Sequence, residues 1–510
     1  MADQPALHLN RISKSFGTLL ANDAISLTLY PGEVLALLGE NGAGKTTLMN
    51  ILFGHYQADQ GSVSVFGKEL PAGKPRAAIA AGVGMVHQHF TLADNLTVLD
   101  NIILGTESLW RGRSKTRPAE AKIRSLAAEY GLAVDPHAKV RKLSVGERQR
   151  VEILKALYRD TRILIMDEPT AVLTPPEVDS LFATLRKLIE RGLAIIFISH
   201  KLREVMAISD RVTVLRHGKV VKEVTTAQTS REELAEAMVG RTIPKPKRTE
   251  LEPGMPLLRF SAVTVNGPDD KRLLDAINLE LRQSEILGIA GVSGNGQGQL
   301  AELLCGLIMQ DEGRISCQDN PDLKPTPAVM ISQGIGRIVE DRNGTGLIGD
   351  MTINENLCAE HYRDPAFARF GLRRFSRMRE RSAELIRSFD VRCQGLHAPV
   401  RQLSGGNMQK LILARVLAQQ PNIILAQQPT WGLDVGAAAY VHDQLLAARQ
   451  RGAGVLLISE DLDELLQLSD RIQVLYHGHL SQALPTAALS LQELGLRMSG
   501  QLLDSAAQAA

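Results

Sequence analysis

A chain of 510 residues is too long for one ordinary hydrophobic core and calls for two or three domains of typical size. Its 44% apolar and 22% charged residues match soluble globular averages, and no apolar run reaches the roughly 18 to 20 residues of a bilayer crossing, so the sequence reads as one that does not span a membrane by itself. With 58 basic against 56 acidic residues, a net of +2, composition gives no field for nucleic acid or an anionic membrane, and no nucleic-acid partner is expected.

The N-terminus, MADQPALHLN, has no basic stretch followed by an apolar one, which predicts a cytosolic chain. EVLALLG, Glu33 to Gly39, is a short apolar run that stops at glycine and predicts a buried strand, and TLMNILFG, Thr47 to Gly54, continues with helical spacing. Between them GENGAGKTT sets Gly39, Gly44, Lys45 and Thr46 in the pattern G-x-x-x-x-G-K-[ST], after a strand and before a helix, which is the context of a phosphate-binding loop. Glycines let backbone N–H groups turn around a β-phosphate, the helix N-terminus adds its dipole, Lys45 neutralises β- and γ-oxygens, and the Thr46 hydroxyl can ligate Mg²⁺. The candidate ATP contacts are therefore Gly39, Glu40, Asn41, Gly42, Ala43, Gly44, Lys45, Thr46 and Thr47.

The stretch from about Leu92 to Arg141 is richer in helix formers and predicts a separate helical lobe. RILIMDEP then supplies Asp167 at a strand end for the Mg²⁺ shell, with Glu168 beside it to orient and deprotonate an attacking water. AIIFISH predicts another buried strand, closing on His200, which can reach a γ-phosphate. Strands alternating with helices imply an α/β sheet core with ligand chemistry at the carboxyl ends of the strands. RTIPKPKRTELEPGMP, Arg241 to Pro256, cannot continue a helix or a central strand and reads as a linker.

Beyond the linker the chain repeats itself. DAISL at Asp23 recurs as DAINL at Asp275, and the glycine-rich loop at Gly39 as GVSGNG at Gly291, both shifted by 252 residues. LSVG at Leu143 recurs as LSGG at Leu403, EPT at Glu168 as QPT at Gln428 and SDR at Ser209 as SDR at Ser469, each shifted by 260, so eight residues are inserted in the second copy. A period this long is a duplicated domain rather than a solenoid. The cysteines Cys305, Cys317, Cys358 and Cys393 have no CxxC spacing and suggest neither zinc nor a disulfide framework, and the tail ending DSAAQAA reads as a frayed end.

With LSVGERQR at Leu143 to Arg150 and LSGGNMQK at Leu403 to Lys410 in place, the sequence resembles the ATP-binding-cassette (ABC) family over nearly its whole length. The resemblance implies an α/β fold of two tandem P-loop ATPase domains, each a RecA-like α/β core with a helical subdomain and an antiparallel β subdomain. The expected division is 1–240, linker 241–256, 257–499 and tail 500–510. It also implies that Gln88, in MVHQHF, is the glutamine-loop residue that touches Mg²⁺, and that Phe16, in SKSFG, is the platform on which adenine stacks. In the family two such domains meet head to tail, with ATP between the P-loop of one and the signature of the other.

The second copy has changed at every one of these positions: Lys45 corresponds to Gln297, Thr46 to Gly298, Gln88 to Glu340, Asp167 to Gln427, Glu168 to Gln428, His200 to Glu460 and Phe16 to Asn266. Its signature is complete, whereas the first copy carries Val145 where glycine is usual. One working site is therefore expected, with catalytic Glu168, His200 and Gln88, metal ligands Thr46, Gln88 and Asp167, and Ser404, Gly405 and Gly406 contributed in trans. Asp434, in WGLD, takes the place of the family's aspartate loop.

A tandem cassette of this kind resembles the ATPase subunits of bacterial ribose, xylose and galactose importers and of the nucleoside importers that use a lipoprotein receptor, with GNGQ and MVHQHFTLADNLTVLDNIILG closer to the nucleoside group. The implied partners are two transmembrane permease subunits and an extracytoplasmic receptor, and the implied place is the cytoplasmic face of the bacterial inner membrane. The alternative is a soluble tandem ATPase acting on ribosomes or DNA.

Overall fold

The structure is a computed structural model that describes residues 4–87, 90–106, 116–170, 173, 175–199, 201–240, 248–268, 271–292, 294–318, 320–362, 364–369, 372–498 and 500. The chain divides into two compact units, Met1–Ile243 and Pro244–Ala510.

The first unit opens with β1 (Leu7–Phe16) and β2 (Leu19–Leu29), which pair antiparallel and are joined by β4 (Gln60–Val65) and β5 (Lys68–Glu69) in the order β2-β1-β4-β5. Between β2 and β4 the chain crosses to a second sheet. There β3 (Val34–Gly39), β6 (Val83–Val86), β7 (Ile163–Asp167), β8 (Ala194–Ile198), β9 (Arg211–Arg216) and β10 (Lys219–Thr225) lie in the order β10-β9-β3-β8-β7-β6. All but the β9–β10 pair run parallel.

Every residue of β3 and β8 is buried, as are the first four of β7. Continuous apolar runs of this kind suit strands covered on both faces, and they place the carboxyl ends of three adjacent strands side by side. The helices Val98–Ile103 and Thr116–Tyr130 form the lobe expected between Leu92 and Arg141 and pack on the helix Val145–Tyr158.

The second unit repeats this plan. An antiparallel sheet orders Arg272–Arg282, Pro256–Asn266 and Glu312–Cys317. A larger sheet orders Ile335–Ile338, Ile423–Gln427, Gly454–Ser459, Ile286–Ala290, Arg471–Tyr476 and His479–Leu480, with Leu484–Pro485 also on Arg471–Tyr476. Arg449, 1% exposed, is held by both carboxylate oxygens of Asp470 at 2.9 and 2.7 Å and by the Thr249 carbonyl at 2.8 Å. Buried charges persist when paired and hydrogen-bonded in this way, and removing one partner strands the other. The four cysteines are free thiols, as their spacing implies.

The repeat extends to backbone conformations that side chains rarely adopt. Positive φ angles recur at Ala24 (+49°) and Ala276 (+46°), Asp160 (+56°) and Gln420 (+50°), Glu168 (+46°) and Gln428 (+44°), and His217 (+50°) and His477 (+47°).

Candidate nucleotide site

The glycine-rich loop leaves β3 and enters the helix Lys45–Phe53 with no side chain capping the helix N-terminus. Gly39, Gly42 and Gly44 have φ of +154°, +83° and +100°, which glycine adopts without strain. A Cβ on Gly44 would strike the Ala21 carbonyl and the Asn22 amide, and Asn22 Nδ2 donates to the Gly44 carbonyl at 3.1 Å from a fully buried position. Asn22 thus fixes the last turn of the loop, a role carried by tertiary contact from β2 and invisible in the motif. Lys45 Nζ donates back to the carbonyls of Gly39 at 2.6 Å and Glu40 at 3.1 Å, which centres its charge over the loop. Ala43 and Gly44 are buried, Lys45 and Thr47 are half-buried, and Thr46 is exposed at the mouth.

Asp167 ends β7, and burial pushes its carboxyl above the ordinary aspartate range; the neighbouring Glu168 adds to the shift, while Lys45 and His87 oppose it. Lys45 and Glu168 therefore both act electrostatically on Asp167, although the two segments lie 122 residues apart, from Lys45 to Asp167. The Glu168 N–H donates to the Ile198 carbonyl at the end of β8, at 2.8 Å, and its left-handed backbone turns the chain sharply away from the strand. The Thr46 hydroxyl and the partly buried Asp167 carboxylate are both oxygen donors, the ligand type that suits Mg²⁺ shared with phosphate oxygens. Gln88 and His200 lie outside the described residues. Phe16, 44% exposed at the end of β1, meets Tyr56 edge-on with ring centroids 5.5 Å apart, so the adenine platform expected of Phe16 has a second ring that the sequence did not single out.

The second unit keeps the loop and changes its chemistry. Gln297 begins the helix Gln297–Cys305 and its Nε2 donates to the Val292 carbonyl at 2.8 Å, the bond Lys45 makes to Glu40, without a charge. The carboxylate has changed places: Gln427 Nε2 donates to Glu340 Oε2 at 3.3 Å, so Asp167 and Gln88 are replaced by Gln427 and Glu340 paired by a neutral donor. Gln428 Oε1 accepts from the Glu460 N–H at 3.3 Å. These three amides are held by the Val292 carbonyl, the Glu340 carboxylate and the Glu460 N–H, where the first unit has a cation and two carboxylates.

The signature turns differ in the opposite sense. In the first unit Ser144 caps Val145–Tyr158 through a capping box, its Oγ accepting from the Glu147 N–H at 3.3 Å while Glu147 Oε2 accepts from the Ser144 N–H at 2.8 Å. A carboxylate thus sits on the helix N-terminus. In the second unit Ser404 makes no such cap to Gly405–Leu417; its Oγ accepts from Asn407 Nδ2 at 2.9 Å, and the first turn of the helix carries no acidic residue. The N-terminal N–H groups around Gly405 and Gly406 carry the favourable end of the helix dipole toward an anion. Asp434 caps the following helix, accepting from the Ala437 N–H at 2.8 Å.

An expected outcome follows for Asn407→Glu, which rebuilds the Ser144–Glu147 capping box in the second unit. Steady-state ATP hydrolysis should fall roughly tenfold or more, because a carboxylate then opposes phosphate, while the melting temperature holds or rises, a cap contributing about 1 kcal/mol of stability. Parallel phosphate-release and thermal-melt measurements check both.

The family model described as ABC transporter matches residues 22–171 and 274–431. The chain is 41% identical to the nucleoside import ATP-binding protein NupA of Lactococcus lactis, over 98% of this chain and 99% of that protein. It is 43% identical to the glucose import ATP-binding protein TsgD13 of Haloferax volcanii, over 98% of this chain and 96% of that protein. A solved complex of an archaeal ribosome recycling factor, aABCE1, with a ribosomal stalk protein matches with a TM-score of 0.64 at 18% identity, covering 97% of this chain and 92% of that one, a likeness of fold alone. Two glycine-rich loops at strand ends, two signature turns and full-length kinship with ATP-binding transport subunits lead to one assignment: the chain belongs to the ABC transporter family, as an ATPase subunit with two cassettes in tandem.

Proposed function

We propose that this subunit powers solute import from the cytoplasmic face of a bacterial inner membrane, through one working ATP site shared by its two cassettes. The observation that carries the reading is the complementary asymmetry: the first cassette holds Lys45, Asp167 and Glu168 together, and the second holds the uncapped signature turn at Ser404. By the head-to-tail pairing that the family resemblance implies, Ser404, Gly405 and Gly406 complete the site of the first cassette. Lys45 and the loop N–H groups hold the phosphates, Glu168 takes the proton of the attacking water, and Gln88 and His200 are assigned by their motif positions to sense and contact the γ-phosphate. Mg²⁺, held by Thr46, Asp167 and Gln88, would neutralise charge on the β- and γ-oxygens. The second cassette's own loop, lacking cation and base, is structural or at most holds nucleotide without hydrolysing it.

Two permease subunits and an extracytoplasmic receptor or lipoprotein are the proposed partners. A cavity of about 200 Å³ in the first cassette, lined by Phe53, Met85, Thr91, Glu152 and Lys155, is the proposed seat for a permease helix. It lies between the sheet core and the signature helix, which Thr91 ties together by donating from its N–H and hydroxyl to Glu152 Oε1 at 2.6 and 2.9 Å.

The proposed cargo is nucleosides, in keeping with NupA, with simple sugars as the alternative that TsgD13 represents. ATPase activity of the subunit assembled with its permeases and receptor tests this. Stimulation by purine or pyrimidine nucleosides and not by ribose, xylose, galactose or glucose is the expected result; stimulation by sugars alone reassigns the cargo. Co-sedimentation with ribosomes in place of permease assembly overturns the importer reading.

A further inference from the structure

The three residues added between Glu340 and Thr352, relative to Gln88 and Thr97, build a turn with no counterpart among the described residues of the first cassette. It is a single π-helical turn, Arg342–Gly346, capped by Asp341, whose Oδ1 accepts from the N–H groups of Asn343 at 3.1 Å and Gly344 at 2.9 Å. Arg342 is half-buried at its start and reaches two other elements at once. Its Nε donates to Gln409 Oε1, on the signature helix, at 2.9 Å, and its Nη2 donates to the Trp431 carbonyl, in the turn leading to Asp434. Its Nη1 lies where a Cβ on Gly405 would come within 3.6 Å, directly beside the signature turn. From the other side Arg415, on the same helix, donates to the Gly346 carbonyl at 2.7 Å.

The first cassette joins the corresponding loop and helix by other means. There Thr91 donates to Glu152, while Ile412 stands at the matching position of the second cassette. A planar guanidinium with donors in fixed directions suits a junction of this kind, because one side chain sets the relative position of two backbones.

We infer that Arg342 is a positioning residue for ATP hydrolysis, holding the Ser404–Gly406 signature turn and the Trp431–Asp434 turn in the mutual arrangement that the working site requires. The inference rests on the proposed contribution of the second cassette's signature to that site. Arg342 touches neither nucleotide nor metal; it acts through the two turns. Because ATP first engages the loop at Lys45, loss of Arg342 affects turnover more than capture.

The experiment uses the purified full chain and measures kcat and KM for ATP together with a thermal melt. Arg342→Ala should lower kcat about tenfold with KM changed by less than about twofold, because only part of the strength of the two lost hydrogen bonds is expressed in turnover. Arg342→Lys, which can satisfy one acceptor but not both in a fixed plane, should recover part of the rate. Gln409→Ala should lower kcat in the same direction, and adding it to Arg342→Ala should cost little more, since both remove one link.

An unchanged kcat in Arg342→Ala, full additivity with Gln409→Ala, or a loss that falls equally on kcat and KM in step with the melting temperature would overturn the inference. If Arg342→Ala does not fold, the Arg342→Lys and Gln409→Ala pair decides by the same additivity. Ser404→Ala separates the two levels. Loss of turnover in Ser404→Ala with none in the Arg342 variants overturns the positioning role alone, whereas full turnover in Ser404→Ala overturns the shared site beneath it.

Discussion

Glu168→Gln is expected to lower steady-state ATP hydrolysis by about 10²- to 10⁴-fold while leaving ATP bound, because it removes a general base and little else. Glutamine matches glutamate in size and can occupy the same left-handed backbone, for Gln428 does so in the second cassette at φ +44° against +46°. The anchoring bond from the residue's N–H to the end of β8 is made by backbone and survives the change; Gln428 makes the same bond to the Ile458 carbonyl at 2.8 Å. Removing the Glu168 charge also removes one of the influences that raise the Asp167 carboxyl, so this aspartate ionises more readily in the variant. The loss should therefore appear in phosphate release and not in equilibrium binding of a fluorescent ATP analogue. Gln428→Ala serves as the matched control, and its rate should stay within about twofold of the parent. Wild-type turnover by Glu168→Gln would dismiss the assignment of the base.

Lys45→Ala acts one step earlier. Its ammonium bridges the Gly39 and Glu40 carbonyls and supplies the one cation predicted from the loop motif, so the variant loses both the brace and the phosphate charge. A hydrogen bond to a charged group contributes about 1.5–3 kcal/mol, which converts to roughly 10- to 100-fold weaker ATP binding, with turnover reduced further because the γ-phosphate is no longer held in line. Gln297→Ala should leave both binding and turnover unchanged, since its amide serves only the second loop. Equilibrium dialysis against radiolabelled ATP reads the outcome as stoichiometry: one site per chain in the parent and in Gln297→Ala, and none at the same concentration in Lys45→Ala.

The parts of the site that were legible in the sequence are those written contiguously. GENGAGKTT and RILIMDE each carry strand, turn and reagent in a few residues, so spacing alone located Lys45, Asp167 and Glu168, and duplication exposed which copy had lost them. The α/β architecture was legible for the same reason, as the apolar runs of β3, β7 and β8 admit few other readings. Asn22 was not, because its hold on Gly44 depends on β2 passing beside the loop 22 residues later. Nor was Arg342, whose partners lie 67 and 89 residues away. The capping box at Ser144 is a different case: S-x-x-E is a local signal and stands in LSVGE, but the missing glycine at Val145 drew the attention that Glu147 merited equally.

The matching left-handed residues say something about how the second cassette lost its chemistry. A non-glycine residue in such a conformation costs on the order of 1–3 kcal/mol, a cost in keeping with the base proposed at Glu168 and one that Gln428, with no carboxylate, incurs as well. Decay of the duplicate has thus replaced reagents without recasting the mould that presented them. A route back to activity for the second half would therefore consist of side-chain exchanges on a backbone already shaped to receive them, and the asymmetry between the halves is shallow in structure though deep in chemistry.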